Sequence, residues 1–124
     1  MKNLIVIGAG GAIGAVGRHL LGALVVRHVN WGFPMSTFLV NLSGCFFIGI
    51  LYGIATRYAW LTMEWRLFLI TGICGGYTTF SSFSFESISL VRQGNYSYFF
   101  LYVIGSVILG LLATVAGIVI TAGA

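Results

Sequence analysis

Acidic residues are nearly absent from this chain. Glu64 and Glu86 are the two it has, and charged residues of both signs make up only 6% of it. Soluble domains carry about a quarter charged residues, so this scarcity excludes an ordinary water-facing surface and points to a membrane protein. It also argues against an enzyme. The two acids and the two histidines, His19 and His28, show no metal-ligand spacing, and no Ser-His-Asp set is visible. The six basic residues, Lys2, Arg18, Arg27, Arg57, Arg66 and Arg92, are scattered and form no patch, which excludes nucleic acid as a partner. Cysteine is scarce too. Cys45 and Cys74 both lie in apolar segments and read as small buried thiols, not as a disulfide framework.

What the chain has instead is hydrophobic length, at 59% of its 124 residues. A spanning helix needs roughly 20 apolar residues. The sequence therefore predicts an all-α membrane protein, a single transmembrane domain over 1–124 whose four helices use the whole length. The spans fall at about 3–26, 35–57, 66–91 and 98–121. Lys2 followed by an apolar run resembles a signal peptide, but Arg18 interrupts its tail and apolar character resumes to Val26, so it reads as a retained first span. Pro34 fits the first turn of the second helix. Trp60 and Trp65, in the link before the third, suit a membrane interface. The single proline and 18 glycines fit closely packed membrane helices.

In the first span Gly10, Gly14 and Arg18 fall four apart on one face, a close-packing pattern. The glycines around Gly8 suggest a dinucleotide fingerprint, but Ile13 occupies its third small position and no strand-helix alternation follows. Arg18 reads either as snorkelling to the interface or as an anion-attracting charge in a vestibule. Asn41, inside the second span, reads either as a helix-helix hydrogen bond or as a pore donor whose amide offers two N–H groups. In the fourth span Tyr102, Ser106, Gly110 and Thr114 recur every four residues, a small-or-polar stripe.

The third span holds the chain's most unusual stretch, from Gly72 to Glu86, in which glycines and hydroxyls replace apolar residues. Lipid does not tolerate unsatisfied backbone, so such a stretch faces protein or water, and the helix is expected to break at about 75–79. A break frees carbonyls near Gly75, Gly76 and Thr78, which are able to hold a monovalent cation. Phe80 and Phe83 share a face on a continuous helix. Their positive ring edges suit an anion, and ordinary packing is the plain alternative. Thr79, Ser81, Ser82 and Ser84 add hydroxyl donors. Lys2, Arg57 and Arg66 fall on one side of the membrane, Arg27 and Arg92 on the other with Arg18 near it. So weak a bias does not fix orientation and makes an antiparallel homodimer a reasonable hypothesis.

Three motifs in order resemble one family, the Fluc (CrcB-type) fluoride channels. Gly10-Gly11-Ala12-Ile13-Gly14-Ala15-Val16-Gly17-Arg18 is similar to GGxxGAxxR. Thr37, Val40, Asn41, Gly44, Phe46 and Gly49 are similar to TxxVNxxGxFxxG. Gly72, Gly75, Gly76, Thr78, Thr79, Phe80, Ser81 and Phe83 are similar to GxxGGxTTFSTF. The resemblance implies an antiparallel, dual-topology homodimer in the bacterial cytoplasmic (inner) membrane, with two passive fluoride pathways. It implies Phe80 and Phe83 as the ring pair lining them and Asn41 as a donor near the rings. The same resemblance implies Thr79, Ser81, Ser106, Thr114 and Tyr102 as further pathway residues, with Arg18 and Glu86 in the vestibule. It also implies a central structural Na⁺ held by backbone carbonyls of Gly75 and Thr78 from both subunits. Two other readings compete. A proton-coupled exporter of organic cations wants a carboxylate within a span, and the first helix has none. A non-conducting scaffold needs only the glycines.

Overall fold

Uncharged apolar runs satisfy their own backbone in lipid by coiling into helices. The computed structural model describes residues 1–123, and nearly all of them are helical. Helix α1 spans Lys2–His28, α2 Met35–Arg57 and α6 Tyr96–Ala122, and these three are long and apolar enough to cross a membrane. Between α2 and α6 the chain comes in pieces. A short α3 (Met63–Arg66) runs into a π-helical stretch, Leu67–Cys74, followed by α4 (Gly75–Tyr77) and α5 (Phe80–Arg92). The helical run thus begins at Met63, three residues before the expected start at 66. The π-helical winding was not expected from the sequence. It is seen where the Gly75 N–H reaches back five residues to the Ile70 carbonyl.

Local signals account for the ends. Arg27 and His28 lie in the last turn of α1, where positive charge suits the helix dipole. Gly94 takes φ +77°, a turn that only glycine makes cheaply, and Asn95 then caps α6 by accepting from the Tyr98 N–H at 3.3 Å.

Two glycine seams hold the helices. Along α1, Gly10 and Gly14 lie against the π-helical stretch, with the Gly10 and Gly72 backbones in near contact. A Cβ added to Gly72 would come 2.8 Å from the Gly10 Cα, so neither position accepts a side chain. Gly49 on α2 and Gly117 on α6 make a like seam, and α2 and α6 form the most extensive helix pair. The first seam carries α4 and the following turn against α1; the second backs them with α2 and α6. Few large side chains are fully buried, Tyr102 and Val40 among them. Leu4, Leu20, Leu111 and Ile120 point outward with many other aliphatics, as suits a lipid-facing surface.

Candidate functional site

The backbone leaves the helix at Thr78. Thr78 (φ −80°, ψ 156°) and Thr79 (φ −148°, ψ 112°) are extended, whereas Gly75–Tyr77 are helical, so the non-helical backbone is narrower than the expected 75–79. Most of the polar groups freed there find partners. The Thr78 N–H and hydroxyl both donate to the Cys74 carbonyl, each at 3.0 Å. The Thr79 N–H donates to Asn41 Oδ1 at 2.8 Å, and Asn41 Nδ2 donates back to the Thr79 carbonyl at 3.2 Å. The Thr79 hydroxyl accepts from the Ser82 N–H at 3.2 Å and so caps α5. Among the described residues, no hydrogen bond ends on the carbonyl oxygen of Gly75 or of Thr78.

Beside this turn lies a cavity of about 370 Å³. Asn41, Gly75, Thr78, Thr79, Phe80, Phe83 and Ser106 line it, together with Cys45, Cys74 and aliphatic side chains. Among the described residues, no charged one lines it. Seven of the sequence-derived site residues therefore meet at one place, from α2, α4, the turn, α5 and α6. The Phe80 and Phe83 rings are 5.8 Å apart and tilted by 43°. Phe80 is 80% exposed, so much of its ring has no neighbour within the chain. Phe83 instead leans on Tyr102, with centroids 5.0 Å apart.

The remaining expected residues lie around this cavity rather than in it. Ser81 Oγ is 3.3 Å from Thr79 Oγ1. Tyr102 is fully buried, and its hydroxyl donates to Glu86 Oε1 at 2.9 Å. Thr114 donates to the Gly110 carbonyl at 3.0 Å and does not line the cavity, although Ser106, two turns earlier on α6, does. Arg18 lines a second, open cavity of about 430 Å³ with His19 and Ser36. Glu86 lines a third, of about 280 Å³, with Ser89 and Gln93. Val26 and Ser36 border both, so Arg18 and Glu86 reach toward the same end of the helices from two sides.

Two features escaped the sequence. Phe33 lies in the link between α1 and α2. It packs edge-on against Phe38, Tyr98 and Tyr102, extending the ring cluster to five residues beyond Phe80. Its position just before Pro34 was the available signal. The Tyr77 hydroxyl lies 2.8 Å from Ser43 Oγ and ties α4 to α2. A Ser and a Tyr far apart in sequence give no local sign that they meet.

Comparison with known proteins identifies a family. Residues 5–118 match the family described as CrcB-like protein, Camphor Resistance (CrcB). A protein of Azobacteroides pseudotrichonymphae genomovar. CFP2, called fluoride-specific ion channel FluC, is 45% identical over 98% of this chain and 97% of its own length. Another of that name, from Phocaeicola vulgatus, is 46% identical over 95% of this chain and 97% of its own. A third, from Rhizobium meliloti (strain 1021), is 41% identical over 95% and 94%. The family match takes in every residue that lines the uncharged cavity, and the chain belongs to the CrcB-like family.

Proposed function

We propose that this protein is a passive, fluoride-selective ion channel that lets cytoplasmic fluoride leave down its electrochemical gradient. The observation that carries the reading is the uncharged cavity in which Phe80, Phe83, Thr79 and Ser106 converge. Fluoride is small and holds its water tightly. A pore must replace that shell with donors, yet a fixed positive charge deep inside would hold the ion too firmly to release it. Hydroxyls, an amide and ring edges are weak, dispersed donors that meet both demands. The names of the relatives support the same ion. In this reading Phe80, Phe83, Asn41, Thr79, Ser81, Tyr102, Ser106 and Thr114 belong to the pathway, with Arg18 and Glu86 in its vestibule.

The exposed Phe80 ring supports a second copy of the chain as its neighbour, in an antiparallel homodimer with two pathways. The third span is then a broken helix, interrupted at Thr78 and Thr79 within one four-span domain. A Na⁺ ion fits between the copies, because the Gly75 and Thr78 carbonyls are hard oxygen donors with no hydrogen bond to satisfy them. Bound there, it would join the two turns and offset repulsion between anions. The protein sits in the bacterial inner membrane. In an acidic medium HF enters and ionises in the neutral cytoplasm, and an anion leak alone reverses the accumulation. An organic-cation exporter is not favoured, since the cavity has no carboxylate.

The test is fluoride efflux from liposomes containing the purified protein. With a potassium ionophore, efflux is expected to be fast and voltage-driven, with none from vesicles holding chloride alone. Folded protein that retains fluoride overturns the reading.

A further inference from the structure

Among the described residues, Thr79 is the one whose backbone N–H and C=O both bond to a single side chain, that of Asn41. The two bonds run in opposite senses, 2.8 Å into Oδ1 and 3.2 Å out of Nδ2. Only an amide of this length meets both. A carboxylate has no donor, and a hydroxyl presents one atom where two are needed. Thr79 in turn caps α5 through its hydroxyl, so whatever fixes Thr79 fixes where α5 begins. Phe80 is the next residue, and Phe83 follows one turn later on the same cavity wall.

We infer that Asn41 is a positioning residue: its amide clamps the Thr79 backbone to α2 and thereby sets the register of the Phe80–Phe83 pair. Thr79 is buried, so few other groups stand ready to replace either bond, and the extended turn depends on this side chain. The clamp also alters what Asn41 has left for an ion. One of its two N–H groups is spent on the Thr79 carbonyl and its oxygen on the Thr79 N–H, leaving one donor where the sequence suggested two. The functional meaning of the clamp rests on the channel reading. The clamp itself is a property of the backbone and is measured without fluoride.

The experiment is amide exchange and carbonyl ¹³C shifts on the full labelled chain in lipid nanodiscs, for the unaltered protein, Asn41→Ala and Asn41→Asp. Asn41→Ala is expected to speed exchange of the Thr79 N–H by about tenfold, the worth of one hydrogen bond, and to move the Thr79 carbonyl signal. Leu90, near the far end of α5, stays as it was. Asn41→Asp keeps an acceptor, so the Thr79 N–H stays protected while the carbonyl signal moves. A Thr79 amide indifferent to Asn41→Ala overturns the clamp. So does acceleration spread evenly from Phe80 to Leu90, which marks general loosening. If Asn41→Ala fails to assemble, Asn41→Asp decides alone, and an unmoved carbonyl signal overturns the clamp. Loss of fluoride efflux by the unaltered protein, with these signals intact, would remove the channel reading and leave the clamp standing.

Discussion

The Tyr102 hydroxyl on α6 donates to Glu86 Oε1 on α5 across 2.9 Å, and the Tyr102 ring beneath it is wholly buried against Phe83 and Phe33. One side chain thus joins the ring cluster to the carboxylate of a neighbouring cavity. Tyr102→Phe keeps the ring and deletes only the donor. A hydrogen bond to a carboxylate is worth about 1.5–3 kcal/mol, and the variant is expected to lose stability on that scale in a denaturation series in detergent. Fluoride efflux is expected to fall as well, because Glu86 is then free to swing. Unchanged stability and unchanged efflux together would show the bond to be idle.

Phe80 and Phe83 separate a role in conduction from a role in packing. Phe83 touches Tyr102, whereas Phe80 is largely uncovered in the single chain. Replacement of either by Ile removes a ring edge and keeps apolar bulk. Each change is expected to cut fluoride efflux by about two- to tenfold, since an aromatic contact is worth about 0.5–1.5 kcal/mol. Phe83→Ile is expected also to lower the thermal midpoint through its lost contact with Tyr102, and Phe80→Ile to lower it less. Full efflux in both variants would place the rings outside the pathway.

The glycine seam gives a prediction with a built-in control. A Cβ on Gly14 would run into the Ile73 carbonyl and come 2.8 Å from the Tyr77 nitrogen, both backbone atoms that cannot turn aside. Gly8 lies six residues earlier on α1, with no described atom within 4 Å of the added one. Gly14→Ala is expected to destabilise the fold by about 1–3 kcal/mol, the usual cost of overpacking, and Gly8→Ala to leave it unchanged. Thermal unfolding of the two variants side by side measures the difference; equal midpoints would mean that the seam yields.

The helices are legible in the sequence because uncharged apolar runs of this length have no other conformation in lipid. Gly10 and Gly14 announce a seam by their spacing alone. The turn is legible for a different reason: Gly72 to Glu86 puts hydroxyls where a span wants aliphatics. Which residues of that stretch leave the helix was not legible, because Gly75 and Gly76 tolerate both helical and extended backbone, and Asn41 decides in favour of Thr79 from 38 positions away. The π-helical winding of Leu67–Cys74 has no marker in local composition either, since its residues, Gly72 apart, also suit an α-helix. Among the site residues, spacing put Tyr102, Ser106 and Thr114 on one stripe, yet Thr114 spends its hydroxyl on its own helix at Gly110. That bond lies along the helix axis, and a stripe pattern says nothing about it.

Thr79 offers the sharpest separation between a hydroxyl that binds an ion and one that holds a helix. Its Oγ1 accepts from the Ser82 N–H at 3.2 Å, the first capping bond of α5. Thr79→Val keeps the shape and removes the oxygen; Thr79→Ser keeps the oxygen and removes a methyl. Loss of a cap costs about 0.5–2 kcal/mol where water can take over, and Thr79 is buried, where replacement partners are few. Thr79→Val is therefore expected to fall at or above the top of that range and to lose fluoride efflux, because the start of α5 then frays and Phe80 with it. Thr79→Ser is expected to restore both. Denaturation midpoints and efflux rates of the pair decide the matter. A Val variant of full stability but no efflux would make the hydroxyl an ion ligand alone, and one of low stability but full efflux would detach the cap from the pathway.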